Sequence, residues 1–264
     1  MHPRLLTTPL FTLYTFGLLL ASAYLAAFWW LIREGRRAGL DVDELSSLGF
    51  WAIVGALIGA KALMIVRDLP EYVAAPAKIL SLSVLASAGD FYGGFIGALV
   101  ASVIFFRRAP PLPFWRTADL CGPAIALGQA IGRIGCLMAG DDFGAPTQLP
   151  WAVVFKDPDA ASIGGAPLGV PLHPVQLYES MFCLVLFWLL VRLSRHKRFD
   201  GEIILAYTSL YAMARFMLEF LRGDADRGFV FGGMLSTSQF IALILGPASI
   251  ALWFVRRRAA APAP

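Results

Sequence analysis

Seven long apolar segments constrain the fold of this chain more than any other feature. Each is close to the roughly 20 residues that a helix needs to cross the hydrocarbon core of a bilayer. Only 15% of the residues are charged, compared with about 25% in soluble proteins. The sequence therefore predicts an all-α integral membrane protein with seven transmembrane helices. We place these at 10–32, 48–66, 82–106, 117–138, 173–193, 202–221 and 234–255.

The first apolar segment also has features of a secretory signal, namely Arg4, an apolar run and the small residues Ala21-Ser22-Ala23. The run continues to Ile32, which favours a first membrane helix instead. More than half of the lysines and arginines lie in alternate connections, which places the C-terminus in the cytoplasm and the N-terminus outside. These basic connections are 33–37, 107–116, 192–198 and 256–258.

One long interruption separates the apolar segments. Residues 139–172 contain five prolines, and the run Trp151-Ala-Val-Val-Phe155 within them favours a short strand. We predict a single membrane domain over 1–264, with residues 139–172 forming a small extracytoplasmic cap in it. The three cysteines all lie in apolar segments, so no disulfide framework is predicted.

A polar stretch begins inside the fourth apolar segment. It contains Arg133, Cys136, Asp141 and Asp142 among five glycines. An arginine in hydrocarbon costs at least about 2.5–3.5 kcal/mol, so an anion must lie opposite Arg133. That anion is either a ligand, such as a lipid phosphate, or one of the chain's own carboxylates. Intramembrane charges favour the ligand. Cys136 is interpreted as a buried, inert thiol rather than a reactive one.

The sixth segment has a polar face. Its residues recur every three or four positions, which puts them on one side of a helix. Arg215 and Glu219 have the spacing of an intrahelical ion pair, the alternative to a role in ligand binding. Because this face points to the same end as Arg133, we predict a shared anion site beneath the cap. The residues of the face are Tyr207, Tyr211, Arg215, Glu219 and Arg222.

Several motifs in order resemble one known family, the prolipoprotein diacylglyceryl transferases of the bacterial inner (plasma) membrane. They are DFYGGFIG (90–97), GRIGCLMAGDDFG (132–144), HPVQLYE (173–179), RFMLEFLRGD (215–224) and LSTSQ (235–239). The resemblance implies a multi-pass enzyme that moves the diacylglyceryl group of phosphatidylglycerol onto a lipobox cysteine of a preprolipoprotein signal peptide, releasing glycerol phosphate. Its expected partners are that lipid, that peptide and the surrounding membrane lipid. No nucleic acid, cofactor or metal is expected.

The resemblance also implies site residues. The predicted catalytic set is Arg133, Asp141, Tyr92, Arg215 and Glu219. The predicted substrate-binding set is Arg133, Gly144, Arg222, His173 and Gln176. His173 fits a site role and an ordinary helix start equally well. Asp141, Tyr92 and Glu219 are unranked candidates for the base that activates the substrate thiol.

Five positions depart from the family pattern. They carry Phe16, Tyr92, Cys136, Ala139 and Asp141 where the family commonly has Tyr, His, Asn, Asn and Glu. Four of them, Phe16, Tyr92, Cys136 and Ala139, keep a second hypothesis open, a non-catalytic relative that binds phosphatidylglycerol. A transporter or channel is a third, since buried charges also line transport paths.

Overall fold

Helices dominate the structure, a computed structural model that describes residues 2–8, 12–81, 84, 89–108, 112–224 and 227–260. The helices are α1 (Thr15–Arg37), α2 (Val42–Arg67), α3 (Leu69–Ala74), α4 (Phe91–Arg107), α5 (Phe114–Ala139), α6 (Pro158–Gly164), α7 (Val175–Ser194), α8 (Glu202–Leu218) and α9 (Thr237–Ala260). Short 3-10 segments follow at Pro76–Leu80, Glu219–Leu221 and Phe231–Gly233.

Six helical segments in the described part of the chain are long and apolar enough to cross a membrane: α1, α2, α5, α7, α9, and α8 together with the 3-10 turn that continues it to Leu221. Six of the seven predicted segments therefore correspond to helices of spanning length. The third, predicted at 82–106, is shorter. Its helix α4 has 17 residues and begins at Phe91 because Asp90 caps it, accepting from the N–H groups of Tyr92 and Gly93. The predicted residues 82, 83 and 85–88 lie outside the described part of the chain.

Among the described residues, three antiparallel strand pairs accompany the helices. They are β1 (Arg4–Thr7) with β2 (Thr12–Tyr14), β3 (Val153–Val154) with β4 (Pro171–Leu172), and β5 (Phe229–Val230) with β6 (Leu235–Ser236). The first helix was predicted from residue 10, but residues 12–14 are extended because their backbone pairs with Arg4–Thr7. Residues 10 and 11 lie outside the described range.

The chain divides into two compact units: one is Ile32–Phe114, and the second comprises Met1–Leu31 and Trp115–Pro264. In the first of these, α2 and α4 pack through glycines. A Cβ on Gly59 would overlap the carbonyl oxygen of Gly93, and a Cβ on Gly55 would lie 2.6 Å from that of Gly97. Glycines spaced four residues apart on each helix therefore let α2 and α4 approach closely.

The other unit holds α5, α7, α8 and α9. The carboxylate of Asp119 in α5 accepts hydrogen bonds from the N–H groups of Gly201, Ile203 and Ile204 at 2.8, 2.9 and 3.1 Å. These are orphan donors of the first turn of α8, so Asp119 satisfies groups that no helical bond reaches. Farther along α5, Ser180 Oγ of α7 donates to the carbonyl of Ala130 at 2.6 Å.

The segment between α5 and α7 has its own small core. The predicted strand at 151–155 is confirmed in shorter form as β3, which pairs with β4. The core is formed by Leu137, Phe155, Ala160, Ala166 and Leu172. Trp151 Nε1 donates to the hydroxyl of Tyr178 at 2.7 Å, which ties the segment to α7.

Candidate active site

Glu179 lies at the centre of the polar groups in this unit. It is on α7 and is only 1% exposed. Its Oε2 lies 3.1 Å from Nε of Arg133 on α5 and 3.0 Å from Nη1 of Arg215 on α8. Its Oε1 accepts a hydrogen bond of 2.7 Å from the hydroxyl of Tyr211. Three helices thus converge on one buried carboxylate.

This arrangement shows what lies opposite Arg133. The two arginines predicted to share one site are brought together, and the groups between and beside them are the chain's own carboxylates. A buried charge without a partner is strongly destabilising, so Glu179 stabilises both guanidinium groups. The ion-pair alternative is therefore present in the structure. A ligand bound by these arginines would contact guanidinium groups that are already paired with Glu179.

Asp142 joins Arg133 to a third arginine. One carboxylate oxygen contacts Nη1 of Arg133, and the other lies 2.5 Å from Nη2 of Arg222. Burial disfavours the charged form of Asp142, but the charges of Arg133 and Arg222 outweigh it and hold its pKa below the ordinary value. Asp142 is therefore ionised throughout the physiological range.

Asp141 has a different environment from its neighbour. Its side chain is partly accessible, and its Oδ1 accepts from the backbone N–H of Asp142 at 2.8 Å. Crowding by protein atoms and the adjacent charge of Asp142 raise the pKa of Asp141 to about 6. A carboxylate with that pKa can accept a proton near neutral pH, as a general base must.

The loop that carries both aspartates is held in place by predicted site residues. Gln176 Nε2 donates to the backbone carbonyl of Asp141 at 2.7 Å. The backbone N–H of His173 donates to the carbonyl of Ala145 at 2.9 Å, and a Cβ on Gly144 would overlap the carbonyl oxygen of His173. Gly144, His173 and Gln176 therefore all contact the backbone of this loop.

Arg215 and Glu219 form the intrahelical ion pair that their spacing gave as the alternative to a role in ligand binding. Nη2 of Arg215 lies 2.5 Å from Oε1 of Glu219, which is buried. Glu219 also lies 3.8 Å from Nη1 of Arg222 and from Nε of Arg227. Arg222 in turn contacts Asp224 through Nε at 2.8 Å. We call Arg133, Asp142, Glu179, Arg215, Glu219 and Arg222 the arginine–carboxylate cluster.

Tyr92 and Cys136, which the sequence analysis also singled out, lie in different units of the chain. Tyr92 lies on α4 in the unit Ile32–Phe114, where its ring is 5.7 Å from that of Phe91. Cys136 lies beside the arginine–carboxylate cluster, with Sγ 3.9 Å from Nη1 of Arg133. Cys136, Asp141 and Asp142 also hold potential metal-ligand atoms within 4.8 Å of one another. Because both Asp142 oxygens contact guanidinium groups, the surroundings favour an anion over a cation.

Two residues of the cluster were not singled out from the sequence. Glu179 was quoted in a motif without a role, although a carboxylate inside an apolar segment is itself a signal. Asp142 was seen as one of two adjacent acids, and its contacts depend on a left-handed backbone with φ of 57°. Few residues other than glycine adopt that conformation, and Asp and Asn are among them.

Comparison with known proteins gives a consistent result. The family model described as prolipoprotein diacylglyceryl transferase matches residues 3–255. A phosphatidylglycerol–prolipoprotein diacylglyceryl transferase of Clostridium tetani is 34% identical over 231 residues, covering 88% of this chain and 88% of the relative. A protein with the same name from Geobacillus kaustophilus is 34% identical over 248 residues, covering 93% of this chain and 89% of the relative.

Proposed function

We propose, because the chain belongs to the prolipoprotein diacylglyceryl transferase family, that its arginine–carboxylate cluster carries out that family's reaction. The chain is a membrane transferase of lipoprotein biosynthesis. It transfers the diacylglyceryl group of phosphatidylglycerol to the thiol of a lipobox cysteine in preprolipoproteins and releases glycerol phosphate. One observation carries the site assignment: two arginines on separate apolar helices converge on Glu179, and Asp142 extends the cluster to a third.

The reaction is a displacement at a saturated carbon. The substrate thiolate forms a carbon–sulfur bond while the carbon–oxygen bond to the phosphate breaks. The electron pair of that bond stays on the departing phosphate, which gains negative charge. Cations placed at the phosphate stabilise this transition state most directly, and a guanidinium can bond two phosphate oxygens at once.

Arg133 is the proposed primary phosphate ligand. Its Nε faces Glu179, which fixes its plane, while its Nη1 faces the partly exposed Asp142. Arg222 lies on the other side of Asp142, so a phosphate at this point would reach two guanidinium groups. Arg215 is turned toward Glu179 and Glu219 and adds positive charge from behind.

Asp141 is the proposed general base. A substrate thiol with an ordinary pKa near 8.5 is only a few per cent thiolate at neutral pH, so proton removal must assist the attack. Glu219 is buried and faces arginines at both carboxylate oxygens, which leaves no free oxygen for a substrate thiol. Tyr92, the third candidate, lies on α4 and outside the unit that holds Arg133 and Asp141.

The function is tested with purified protein, labelled phosphatidylglycerol and a lipobox peptide. We expect a peptide whose cysteine carries a diacylglyceryl thioether, with one glycerol phosphate released per thioether formed. Binding of the lipid without any thioether would instead identify the non-catalytic relative that Phe16, Tyr92, Cys136 and Ala139 keep open. Lipid or solute flux into sealed vesicles without a thioether would identify a transporter.

The transfer rate is expected to depend on the protonation of Asp141. Because a base acts in its deprotonated form, turnover should fall as the pH drops through about 6. As the pH is raised further, turnover should increase again near pH 8.5, because the substrate thiol itself then ionises. Asp141→Ala should lower turnover more than it weakens lipid binding, and it should abolish only the limb near pH 6. Full activity in that variant would remove Asp141 from the mechanism.

We further propose that α4 is a seventh span and that residues 139–172 form a cap on the outer side of a single membrane domain. At 1.5 Å per residue, the 17 residues of α4 form a helix about 26 Å long. Charged residues lie at its two ends, Asp90 at the start and Arg107–Arg108 at the finish. The N-terminus is then outside and the C-terminus is cytoplasmic in the inner membrane, as the positions of the basic connections favour.

Cysteine labelling tests this topology. Single cysteines introduced as Gln148→Cys and Ala260→Cys, in a background without the three native cysteines, should react from opposite sides of the membrane. An impermeant reagent added outside should label only Gln148→Cys, and Ala260→Cys should label only after permeabilisation. Labelling of both from one side would contradict the seven-helix topology.

A further inference from the structure

Asp142 lies between two arginine side chains at the point where the lipid phosphate is proposed to bind. It is the one residue that Arg133 and Arg222 share among the ion pairs of the described chain. Each arginine also has a separate carboxylate partner, Glu179 at Nε of Arg133 and Asp224 at Nε and Nη2 of Arg222. Removing Asp142 would therefore leave both guanidinium groups anchored and one face of each open.

The exposure of the side chains singles out Asp142 as the carboxylate able to leave. Its side chain is 26% exposed, compared with 14% for Asp224 and 2% for Glu179. A carboxylate in contact with solvent can be rehydrated when it leaves, whereas one that is fully buried would lose its partners without gaining water.

The contacts around Asp142 hold its backbone in place independently of its carboxylate. Gly140, two residues earlier, has φ of 79°, and Asp142 itself has φ of 57°. The loop on either side is fixed by other contacts: Gln176 holds the carbonyl of Asp141, and Gly144 pairs with Arg222. Rotation about the Asp142 side-chain bonds would thus withdraw the carboxylate while the loop stays in place.

We propose that Asp142 is an internal substitute for the phosphate of phosphatidylglycerol. It occupies the phosphate position in the empty site and is displaced when the lipid headgroup binds. This inference rests on the proposed function for its ligand. In the empty enzyme Asp142 keeps Arg133 and Arg222 oriented and shields their charges from one another.

The same exchange assists product release. Phosphatidylglycerol carries a phosphodiester with one negative charge, whereas glycerol phosphate is a monoester with a charge of about −1.5 to −2 at neutral pH. Two arginines would hold the product more tightly than the substrate. The return of the Asp142 carboxylate competes with the product for both guanidinium groups, so the product leaves sooner.

The test measures anion binding directly, with inorganic phosphate and glycerol phosphate as probes in neutral detergent. Asp142→Asn should lower the dissociation constant of each by about tenfold, the scale expected when a competitor for charge-assisted contacts is removed. Asn also tolerates the left-handed backbone at this position. Asp142→Gly tolerates it as well, lacks the carboxylate and should give the same result.

Asp224→Asn is the matched control, because it removes one negative charge from the same arginine without touching Arg133. It should change phosphate affinity by less than about threefold, the scale of a charge effect without displacement. Equal tightening in Asp142→Asn and Asp224→Asn would show an effect of net charge alone and overturn the proposal. Unchanged or weaker phosphate binding in Asp142→Asn would also overturn it.

Measurement of transfer activity separates this inference from the proposed function. If the wild-type protein forms the thioether but Asp142→Asn does not bind phosphate more tightly, the inference fails and the function stands. If no thioether forms but Asp142→Asn binds phosphate more tightly, the site is an anion site closed by Asp142 and the transferase function fails. With both correct, glycerol phosphate should inhibit Asp142→Asn about tenfold more strongly than wild type.

Discussion

Glu179→Gln is expected to destabilise the protein by about 3–5 kcal/mol, the cost of breaking a buried ion pair from one side. The amide retains the shape of the side chain but carries no charge. Arg133 and Arg215 would then share a neutral partner, and the hydroxyl of Tyr211 would lose its charged acceptor. The measurement is thermal unfolding of purified protein in detergent, with transfer activity scored on the folded fraction. We expect a large loss of both.

Glu71→Gln is the control for this change. Glu71 pairs with Lys78 at 3.0 Å, and both side chains are more than half exposed. Exposed pairs contribute about 0–1 kcal/mol, so this variant should unfold close to wild type. If Glu179→Gln were as stable and active as Glu71→Gln, Glu179 would have no central role in the arginine–carboxylate cluster.

Arg133→Lys is expected to fold and insert but to lose most transfer activity. Lysine keeps the charge and can pair with Glu179 or Asp142, but it lacks the fork that reaches both carboxylates and two phosphate oxygens. Loss of that contact should cost about 1.5–3 kcal/mol, which is roughly a 10- to 150-fold decrease in rate. Arg215→Lys should lower the rate less, because Glu219 one turn away can still form an ion pair with the ammonium group of the lysine.

Steady-state kinetics with varied phosphatidylglycerol and a fixed lipobox peptide distinguish the two roles of Arg133. A phosphate ligand lowers turnover and lipid affinity while the unfolding temperature is nearly unchanged. A purely structural arginine lowers the unfolding temperature instead. Arg192→Lys, at an exposed position near the end of α7, should match wild type in every measurement. Wild-type turnover and lipid affinity in Arg133→Lys would rule out the phosphate contact.

The sequence predicted the helices well because a helix that spans a bilayer needs a long run of apolar residues, and such runs can be read directly from the sequence. Six apolar segments became helices of spanning length, and most ended within a few residues of the predicted bounds. The third was predicted from residue 82, where residues 82, 83 and 85–88 lie outside the described part of the chain, and its helix α4 begins after the capping Asp90. Hydrophobicity marks where a segment can span, but the cap residue marks where the helix begins.

The site was predicted in part, for an equally physical reason. Spacing on one helix placed Arg215 and Glu219 together, because residues four apart face the same side. The partner of Arg133 could not be deduced in the same way, since Glu179 lies on another helix and the pairing depends on how α5 and α7 pack. Asp142 required still more, a single loop residue with a positive φ that turns its carboxylate between two arginines.

The anchoring of α8 by Asp119 makes the spacing along two helices part of the chemistry. Both helices run from this anchor toward Glu179. The number of residues between the anchor and each arginine therefore sets how far along its helix that arginine lies. From Asp119 to Arg133 along α5 is 14 residues, about 21 Å, and from Ile203 to Arg215 along α8 is 12 residues, about 18 Å. The difference of about 3 Å is within the reach of a flexible arginine side chain. One residue inserted between Asp119 and Arg133 would turn the guanidinium by about 100° and lift it by about 1.5 Å, so the lengths of these stretches are constrained even where their side chains touch no substrate.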